Sequence, residues 1–310
     1  MLMLPVGQVA LRRIWMIRNV TSFVPAHKPP KADDLSRLRD ELAKSKRLVV
    51  MTGAGISTES GIPDYRSEKV GRYARSNHKP VEFQEFMNEE SVRRKYWARS
   101  YVAWPKFSSV LPNVTHKKLA EWEQRSRIHW LITQNIDCLH RKAGSRRLTE
   151  LHGNAYNVRC MNCNQRWDRH DFQKYIQELN INWNAKGADV APDGDIDLPS
   201  EAEASFTTPS CNKCGGIVKP EIIFFGELLP IQEMNDCYVR VEEADAMLVL
   251  GSSLEVLSGF RFVYQMYEAG KPILIVNIGN TRADEMATVK VSSKCTTVME
   301  LIDDDMKALH

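Results

Sequence analysis

The sequence lacks the features that would place it in a membrane or on nucleic acid. No stretch of its 310 residues reaches the roughly 18 continuous apolar residues that a membrane-spanning helix requires. The 42 basic and 39 acidic residues nearly cancel, which leaves a formal net charge of +3 and no visible basic stripe. Since nucleic-acid-binding proteins usually carry such a stripe, the charge pattern argues against nucleic acid as a partner.

Acidic residues are absent from the first 32 residues. This segment carries Arg12, Arg13 and Arg18 among apolar residues, a composition typical of an import presequence. We therefore predict that residues 1–32 are a mitochondrial presequence and linker, and that the protein works in the mitochondrial matrix. A disordered or docking N-terminal arm is the alternative.

A disulfide framework is also missing, because the seven cysteines are an odd number. Four of them form two C-x-x-C pairs: Cys160, Cys163, Cys211 and Cys214. Two such pairs can present four thiolates to one tetrahedral Zn²⁺, and a full ligand set indicates a structural metal. The alternatives are a redox-active pair, which would need only one C-x-x-C, and a nucleic-acid-binding zinc ribbon, which would need basic flanks.

A strand followed by a glycine turn organises the chain. The apolar run Leu48–Met51 predicts a buried parallel strand. Gly53 and Gly55 then turn the backbone without a Cβ, as in folds that hold a dinucleotide pyrophosphate. Ser57 and Thr58 are predicted to cap the next segment. The loop downstream carries a paired Asp and Arg after a proline, which favours a cofactor site over a purely structural turn.

Further apolar runs predict additional strands. They span residues 128–133, 147–150, 222–225, 246–250, 273–277 and 288–291. Helical patterns separate them, including one from Asp33 or Asp34 to about Ser45 with Leu35, Leu38 and Leu42 on one face. This alternation predicts an α/β fold with a doubly wound parallel sheet that binds a dinucleotide.

We divide the chain into four parts on this basis. These are a presequence and linker (1–32), a dinucleotide-binding domain (33–157 and 219–302) with a helical insertion at about 67–126, an inserted zinc-binding module (158–218) and a C-terminal tail (303–310).

The motifs of this chain occur together in one known family. They are G-A-G-I-S and G-I-P-D-Y-R within 53–66, T-Q-N-I-D at 133–137, L-H-G at 151–153, K-P-E at 219–221, F-G-E at 225–227, G-S-S-L at 251–254 and N-I-G at 277–279. In this order, over about residues 35–302, the chain resembles the sirtuins, the NAD-dependent protein deacylases. The unbroken stretch at 65–75, Y-W-A-R at 96–99 and A-P-D-G-D at 191–195 resemble most the mitochondrial class II members of animals.

The resemblance implies that NAD is the cofactor, that zinc is a structural metal, and that a defined set of residues contacts NAD. The set is Gly53, Ala54, Gly55, Ile56, Ser57, Asp64, Tyr65, Arg66, Tyr73, Gln134, Asn135, Ile136, Asp137, Gly251, Ser252, Ser253, Asn277, Ile278, Gly279 and Cys295. Asn135 and Asp137 are expected to hold the nicotinamide ribose and carboxamide and to take part in catalysis. Their alternative role is to cap the following helix.

His152 matches the family's catalytic histidine. A lone histidine is more often structural, so its catalytic role rests on the resemblance. The implied reaction starts when the substrate amide oxygen attacks C1′ of the nicotinamide ribose and nicotinamide leaves. His152 then deprotonates a ribose hydroxyl, and the acyl group ends on ADP-ribose. Histidine suits this step because it exchanges protons near neutral pH.

The substrate side is also implied by the resemblance. Phe225, Gly226 and Glu227 on one edge, and Leu254, Glu255 and Val256 on the other, resemble the segments that pair with an extended substrate peptide.

The acyl chain has candidate contacts of its own. Tyr96 and Arg99 lie one helical turn apart and resemble a pair that binds acidic acyl chains in a related desuccinylating sirtuin; a surface helix is the alternative. Tyr65 stands where the family usually has Phe and suggests a more polar acyl site.

The stretch between the two cysteine pairs is long for the family. Residues 183–200 contain Asp189, Asp193, Asp195 and Asp197 between glycines and prolines. A solvated surface loop is one interpretation. The other is a lid that reaches the acyl channel, where its carboxylates compete for Arg99 or gate entry.

We therefore expect an enzyme that removes acyl groups from lysines of acylated mitochondrial proteins and releases nicotinamide and acyl-ADP-ribose. We expect longer or acidic acyl chains, or lipoyl-lysine, rather than acetyl. Protein mono-ADP-ribosylation is the alternative within the family. An NAD(P) oxidoreductase and a non-catalytic zinc-stabilised binding module are alternatives from other classes.

Overall fold

The structure is a computed structural model that describes residues 23–75, 80–187 and 190–308, with side chains up to Asp303. The predicted presequence up to residue 22 and the loop residue Asp189 lie outside the described residues. Within the described part, no helix is both long and apolar enough to cross a membrane.

Six strands form one parallel sheet, and three others form a small antiparallel sheet. The strands are β1 (Leu48–Thr52), β2 (Ile128–Thr133), β3 (Leu148–Glu150), β4 (Gly153–Cys160), β5 (Arg166–Asp168), β6 (Val218–Ile222), β7 (Ala246–Leu250), β8 (Ile273–Val276) and β9 (Val289–Val291). The large sheet has the order β3-β2-β1-β7-β8-β9, with every pair parallel. β1 and β7 are buried along their whole length, which explains their continuous apolar sequences.

Helices cover both faces of the large sheet. The α-helices of the described residues are α1 (Ala32–Lys44), α2 (Arg72–Arg75), α3 (Phe83–Asn88), α4 (Glu90–Ser108), α5 (Val114–Gln124), α6 (Leu139–Ala143), α7 (Arg169–Leu179), α8 (Ser200–Ala204), α9 (Ile231–Glu243), α10 (Leu257–Glu268) and α11 (Cys295–Ala308). Val50 of β1 points into a core shared with α1, α5 and α11, whereas the adjacent Val49 points into a core shared with α9 and α10. The predicted doubly wound α/β fold is confirmed.

A third core joins the small sheet to the helical insertion. The sheet has the order β5-β4-β6, and its core includes Trp97 and Phe107 of α4 and Phe172 of α7. The ring centroids of Trp97 and Phe172 are 5.2 Å apart. Two residues separate the edge strand β3 of the large sheet from β4, which begins at Gly153, and Gly153 pairs with Ile222 of β6. The small sheet is therefore joined to the edge of the large sheet by a short connection.

Three local expectations are corrected. α1 starts after Lys31 without a side-chain cap, and Asp33 and Asp34 lie in its first turn, where negative charge is favourable. Ser57 and Thr58 do not cap a helix, because they lie inside a 3₁₀ helix that begins at Ala54.

The prediction of a strand over residues 222–225 was wrong for residues 223–225, because β6 ends at Ile222. The chain turns there because the Glu227 carboxylate accepts the Phe224 N–H at 2.9 Å and Gly226 adopts a φ of 76°.

Candidate active site and metal centre

A cavity of about 1040 Å³ opens at the carboxyl ends of the parallel strands. Gly53 after β1 and Gly251 after β7 both line it, so it lies where the strand order reverses. Doubly wound sheets bind their ligands at this position. The loops after β2 and β8 also contribute to the wall, which brings most of the predicted site residues together.

Two glycines bring the loops after β1 and β7 into direct contact. The Gly55 N–H donates to the Gly251 carbonyl at 2.8 Å, and a Cβ on Gly55 would lie 2.7 Å from that oxygen. A Cβ on Gly53 would lie 2.7 Å from the Ser252 side chain. Neither position accepts a side chain, so the turn presents its backbone to the cavity.

A buried hydrogen-bond network ties this turn to the loop after β2. Asn135 Nδ2 donates to the Gly53 carbonyl and to Ser57 Oγ, both at 3.1 Å. Ser57 Oγ donates in turn to Asp137 Oδ2 at 2.7 Å. Burial raises the pKa of Asp137, although the Leu139 N–H and the Ser57 hydroxyl stabilise its charged form. The network fixes Asn135 and Asp137 in the cavity wall.

His152 lies in the cavity wall directly before β4. Its Nδ1 lies 2.9 Å from the Gln134 carbonyl, and its Nε2 lies 2.7 Å from the Ser258 hydroxyl. Because a carbonyl only accepts, we assign the proton to Nδ1 and leave Nε2 as the acceptor. Desolvation lowers the pKa of His152, while the bond to Gln134 opposes that shift. The imidazole is therefore neutral near neutral pH and can take a proton at Nε2.

The loop that precedes α2 forms another part of the wall. The N–H and the hydroxyl of Ser67 both donate to the Asp64 carboxylate, the N–H at 2.8 Å. The rings of Tyr65 and Tyr73 have centroids 5.7 Å apart, and the Arg66 guanidinium lies 5.7 Å from the Tyr73 centroid. Asp64 thus folds the loop, and the other three side chains form an aromatic and cationic surface.

The far end of the cavity is formed after β8 and at the start of α11. Asn277, Ile278, Gly279 and Cys295 line it, and Asn277 Nδ2 donates to the Gly279 carbonyl at 2.9 Å. Burial raises the pKa of the Cys295 thiol to about 12, so it stays protonated and unreactive at neutral pH.

Two segments line the cavity on the side assigned to the substrate peptide, Phe225–Glu227 and Leu254–Val256. Glu227 accepts a hydrogen bond from the buried Lys219 ammonium at 3.0 Å. Leu254 has a φ of 58°, in the left-handed region. Both segments are therefore held in defined conformations by the protein itself.

Tyr96 and Arg99 are separated in the structure. Tyr96 lines the cavity, and its partly buried ring meets the ring of Phe224 nearly edge-on at 5.2 Å between centroids. Arg99 does not line the cavity, because it pairs with Asp195 at 3.3 Å and with Glu203. Both carboxylates come from the stretch between the cysteine pairs.

That stretch is not a solvated surface loop in its described part. Val190 and Ile196 are buried, and Asp193 and Asp195 line the cavity. Asp197 accepts two hydrogen bonds from the Arg72 guanidinium, each 3.0 Å long. The stretch therefore packs against the start of α2 and forms part of the cavity wall.

Of the residues assigned to NAD, only Ile56 does not line the cavity, because it is fully buried in the core beneath the turn. Asp193 and Asp195 line the cavity, as the lid interpretation of their stretch expected, whereas Ser258 and the segment Val24–Ala26 were missed from the sequence. Ser258 follows a substrate edge by two residues, which was the only signal available for it. Val24–Ala26 fell inside the predicted presequence and linker.

The four cysteines form a metal centre. Their Sγ atoms all lie within 4.8 Å of one another, and the Cys160–Cys214 and Cys163–Cys211 pairs are 3.5 and 3.7 Å apart. Tetrahedral Zn–S bonds of about 2.3 Å place sulfurs about 3.8 Å apart. Desolvation raises the pKa of Cys160, but N–H groups of Cys163 and Asn162 and the neighbouring thiols bring it down to about 7. The cluster therefore fits a structural Zn²⁺.

A doubly wound sheet, a four-cysteine module and a histidine in the shared cavity define a class of NAD-using enzymes. The chain belongs to the Sir2 family, whose profile matches residues 53–258. Among curated relatives it is 48% identical to the NAD-dependent protein deacylase Sirt4 of Drosophila melanogaster, over 96% of this chain and 97% of the relative. It is also 48% identical to the NAD-dependent protein lipoamidase sirtuin-4, mitochondrial, of Homo sapiens, over 92% and 91%. The predicted resemblance to the sirtuins is confirmed, and the human relative is a mitochondrial animal member of the kind that the sequence resembles most.

Solved structures agree with this assignment. A structure from work on the mechanism and regulation of Sir2 enzymes superposes with a TM-score of 0.70 at 31% identity, covering 90% of this chain and all of the other. A Sir2 complex with a p53 peptide and NAD⁺ superposes with a TM-score of 0.66 at 29% identity, over 88% and 98%.

Proposed function

We propose that this chain is an NAD-dependent protein-lysine deacylase that includes lipoyl-lysine among its substrates. The observation that carries the proposal is the position of His152, whose imidazole lines one cavity together with the loops after β1, β2 and β7 and both substrate edges. Relatives named deacylase and lipoamidase match nearly the full length of the chain.

The residues present fit NAD. The turn at Gly53 and Gly55 has no room for side chains and turns its backbone to the cavity, as pyrophosphate binding requires. The side chains of Asn135 and Asp137 are shielded from bulk solvent and hydrogen-bonded, and both residues line the cavity. When bound, NAD supplies nicotinamide as a leaving group and ADP-ribose as the acceptor of the acyl group.

His152 acts in this proposal as the general base. The Gln134 carbonyl holds the ring in the tautomer with an unprotonated Nε2, and the Ser258 hydroxyl that donates to Nε2 fixes the orientation of the ring. Asn135 and Asp137 orient the ligand beside it, because the network through Ser57 leaves them one arrangement. A preorganised polar site of this kind stabilises developing charge without reorganisation.

The acyl end of the cavity favours a long neutral chain in this conformation. Asp193 and Asp195 line the wall, while the charge of Arg99 is already paired with Asp195 and Glu203. An acyl chain that ends in a carboxylate would meet like charge there. Acidic chains would bind only after residues 190–198 move and release Arg99, which gives this loop the role of a lid.

We assign the substrates to acylated mitochondrial proteins and the location to the mitochondrial matrix. The Arg-rich, acid-free residues 1–32 and the mitochondrial names of the bovine and human relatives support this assignment. The domain division given above is part of the same proposal, with zinc holding the module together and taking no part in the reaction.

A panel of lysine peptides that differ only in the acyl group tests the function. Acetyl, glutaryl-like and lipoyl peptides are incubated with NAD, and free nicotinamide and acyl-ADP-ribose are quantified. Nicotinamide release that requires the acyl group supports deacylation. Label transfer from NAD to protein without an acyl peptide would support ADP-ribosylation, reduced nicotinamide cofactor would support an oxidoreductase, and no turnover would leave a binding module.

A further inference from the structure

Residues 23–28, here called the N-terminal strap, run along the cofactor cavity. Val24, Pro25 and Ala26 line its wall together with the cofactor loops. The segment has no regular secondary structure, so its position depends on side-chain and backbone contacts at its two ends.

The first end is held by Phe23. The side chain is only 6% exposed, and the Arg75 guanidinium lies over its ring at 5.1 Å from the centroid, within the range of a cation–π contact. Arg75 ends α2, the helix that also carries the cavity residue Tyr73. The Tyr73 N–H donates to the Tyr65 carbonyl at 3.0 Å. Phe23 is therefore attached to the loop that forms the aromatic wall.

The second end is held by Ser293. Its hydroxyl donates to the Lys28 carbonyl at 2.9 Å, and Ser293 is fully buried in the loop between β9 and α11. The next two residues, Lys294 and Cys295, line the cavity. The strap thus spans from the end of α2 to the loop before α11.

Proline limits the freedom of the strap before it docks. Pro25 lies within it, and Pro29 and Pro30 follow directly. Because each ring fixes φ near −65°, ordering this segment costs less conformational entropy than ordering a comparable chain without proline. Two contacts at the ends are therefore enough to hold a short, stiff segment in place.

We propose that the strap is a component of the NAD site, which closes one wall and holds the loops before α2 and α11 in their ligand-binding positions. The inference rests on the proposed function, because the ligand class is NAD. It has a consequence for maturation. Removal of a presequence before Phe23 would leave the site complete, whereas cleavage after Phe23 would weaken NAD binding without touching a catalytic residue.

The test compares the full wild-type chain with the full chain carrying Phe23→Ala. Calorimetry measures the Kd of NAD and of ADP-ribose for both. If the strap docks in only about a tenth of the variant molecules, the Kd rises roughly tenfold. Phe23→Tyr should restore binding, and hydrogen exchange in residues 65–75 should rise in Phe23→Ala. Lys31→Ala is the matched control, because it removes an exposed side chain just beyond the strap and keeps the carbonyl that accepts from the Leu35 N–H.

The outcomes separate the two proposals. A wild-type chain that does not bind NAD overturns the proposed function and the strap with it. A wild-type chain that binds NAD, with an equal or lower Kd in Phe23→Ala, overturns the strap alone, since a lower Kd means that the segment occupies the site. If Phe23→Ala does not fold, two milder variants replace it in the test. Phe23→Leu and Ser293→Ala each remove one contact of the strap, and each must raise the Kd of NAD.

Discussion

The Nε2 atom of His152 lies 2.7 Å from the hydroxyl of Ser258. Ser258 is in the first turn of α10, and its hydroxyl donates to Nε2 of the neutral imidazole. That hydrogen bond favours the unprotonated ring at rest, and burial lowers the pKa of His152 in the same direction. A base that must accept a proton only during the reaction benefits from such a position.

The catalytic assignment predicts a large loss of turnover in His152→Ala. Without a general base, kcat should fall roughly 10²- to 10⁴-fold, while the Kd of NAD stays within about twofold, because the phosphate-binding turn is untouched. Ser258→Ala should reduce kcat less and raise the apparent pKa on the acidic side of the pH–rate profile. Single-turnover kinetics with a lipoyl peptide measure both. Turnover of His152→Ala near the wild-type value would show that His152 is structural.

The metal centre predicts that each chain binds one zinc ion and that the zinc-binding module does not fold without it. Cys163→Ser should abolish zinc binding and unfold the module, because binding energy is folding energy in such sites. Metal analysis and thermal melting measure this. Cys138→Ser is the matched control, since Cys138 is also a free cysteine but lies outside the cluster, and it should retain its zinc. Folded protein without zinc would contradict the assignment.

The acyl end predicts a change of selectivity in Asp193→Asn. Removing this charge from the wall should raise the ratio of kcat/KM for glutaryl over lipoyl peptides by roughly fivefold, about 1 kcal/mol for two charges about 4 Å apart at the dielectric constant of water. Asp171→Asn, on the exposed face of α7, is the control and should leave the ratio unchanged. An unchanged ratio in Asp193→Asn would mean that this wall does not contact the acyl chain.

Arg99→Ala tests the ion pairs that hold the same stretch of chain in place. It removes the guanidinium that pairs with the buried carboxylates of Asp195 and Glu203, so the free energy of unfolding should fall by about 3–5 kcal/mol. If Arg99 also binds acidic acyl chains once the loop moves, these substrates should lose a further 1.5–3 kcal/mol of transition-state binding, roughly. Equal losses on neutral and acidic peptides would leave Arg99 with a structural role only. Denaturant melts and the peptide panel give the two quantities.

Two buried histidines predict that stability falls in weak acid. Burial, and the neighbouring His140, lower the pKa of His116 well below its ordinary value, and burial lowers the pKa of His140 to about 3. Their folded-state pKa values lie below those of the unfolded chain. Full stability is therefore present above about pH 6.5 and is lost as pH falls below it. The slope should reach about 1.4 kcal/mol per pH unit for each histidine.

Urea unfolding of the zinc-loaded protein between about pH 7 and pH 5 measures this slope. His116→Gln should reduce this slope by about 1.4 kcal/mol per pH unit, the contribution of one histidine. A slope that is the same in both proteins would assign the acid sensitivity to other groups, of which the zinc thiolates are the first to consider.

The central strands could be predicted because burial on both faces leaves an unbroken apolar run, as in β1 and β7. The metal ligands could be predicted because thiolate chemistry needs a fixed spacing that sequence displays directly. The turn after β1 was located correctly, but its 3₁₀ geometry depends on Gly251, a residue far along the chain. Sequence spacing carries no such information.

The choice of carboxylates that pair with Arg99 was out of reach for the same reason, although the lid interpretation already had the carboxylates of residues 183–200 compete for it. Arg99 finds Asp195 and Glu203 only after the stretch between the cysteine pairs has packed. Its helix-turn spacing from Tyr96 is real, yet Tyr96 lines the cavity and Arg99 does not. Similarly, Val24–Ala26 have a composition that fits a linker, and only their contacts place them at the cavity.

The strand β4 has a consequence for anyone who wishes to exchange parts between relatives. It is eight residues long, about 26 Å, with His152 just before one end and the metal ligand Cys160 at the other. Its start is fixed by the Ile223 N–H, which donates to the His152 carbonyl at 2.8 Å, and by Gly153, where a Cβ would lie 1.9 Å from the Glu221 carbonyl. A transplanted module must therefore keep this strand's length and register. A shift of one residue would turn every side chain along it to the opposite face, and the graft would bind its metal while misaligning the base.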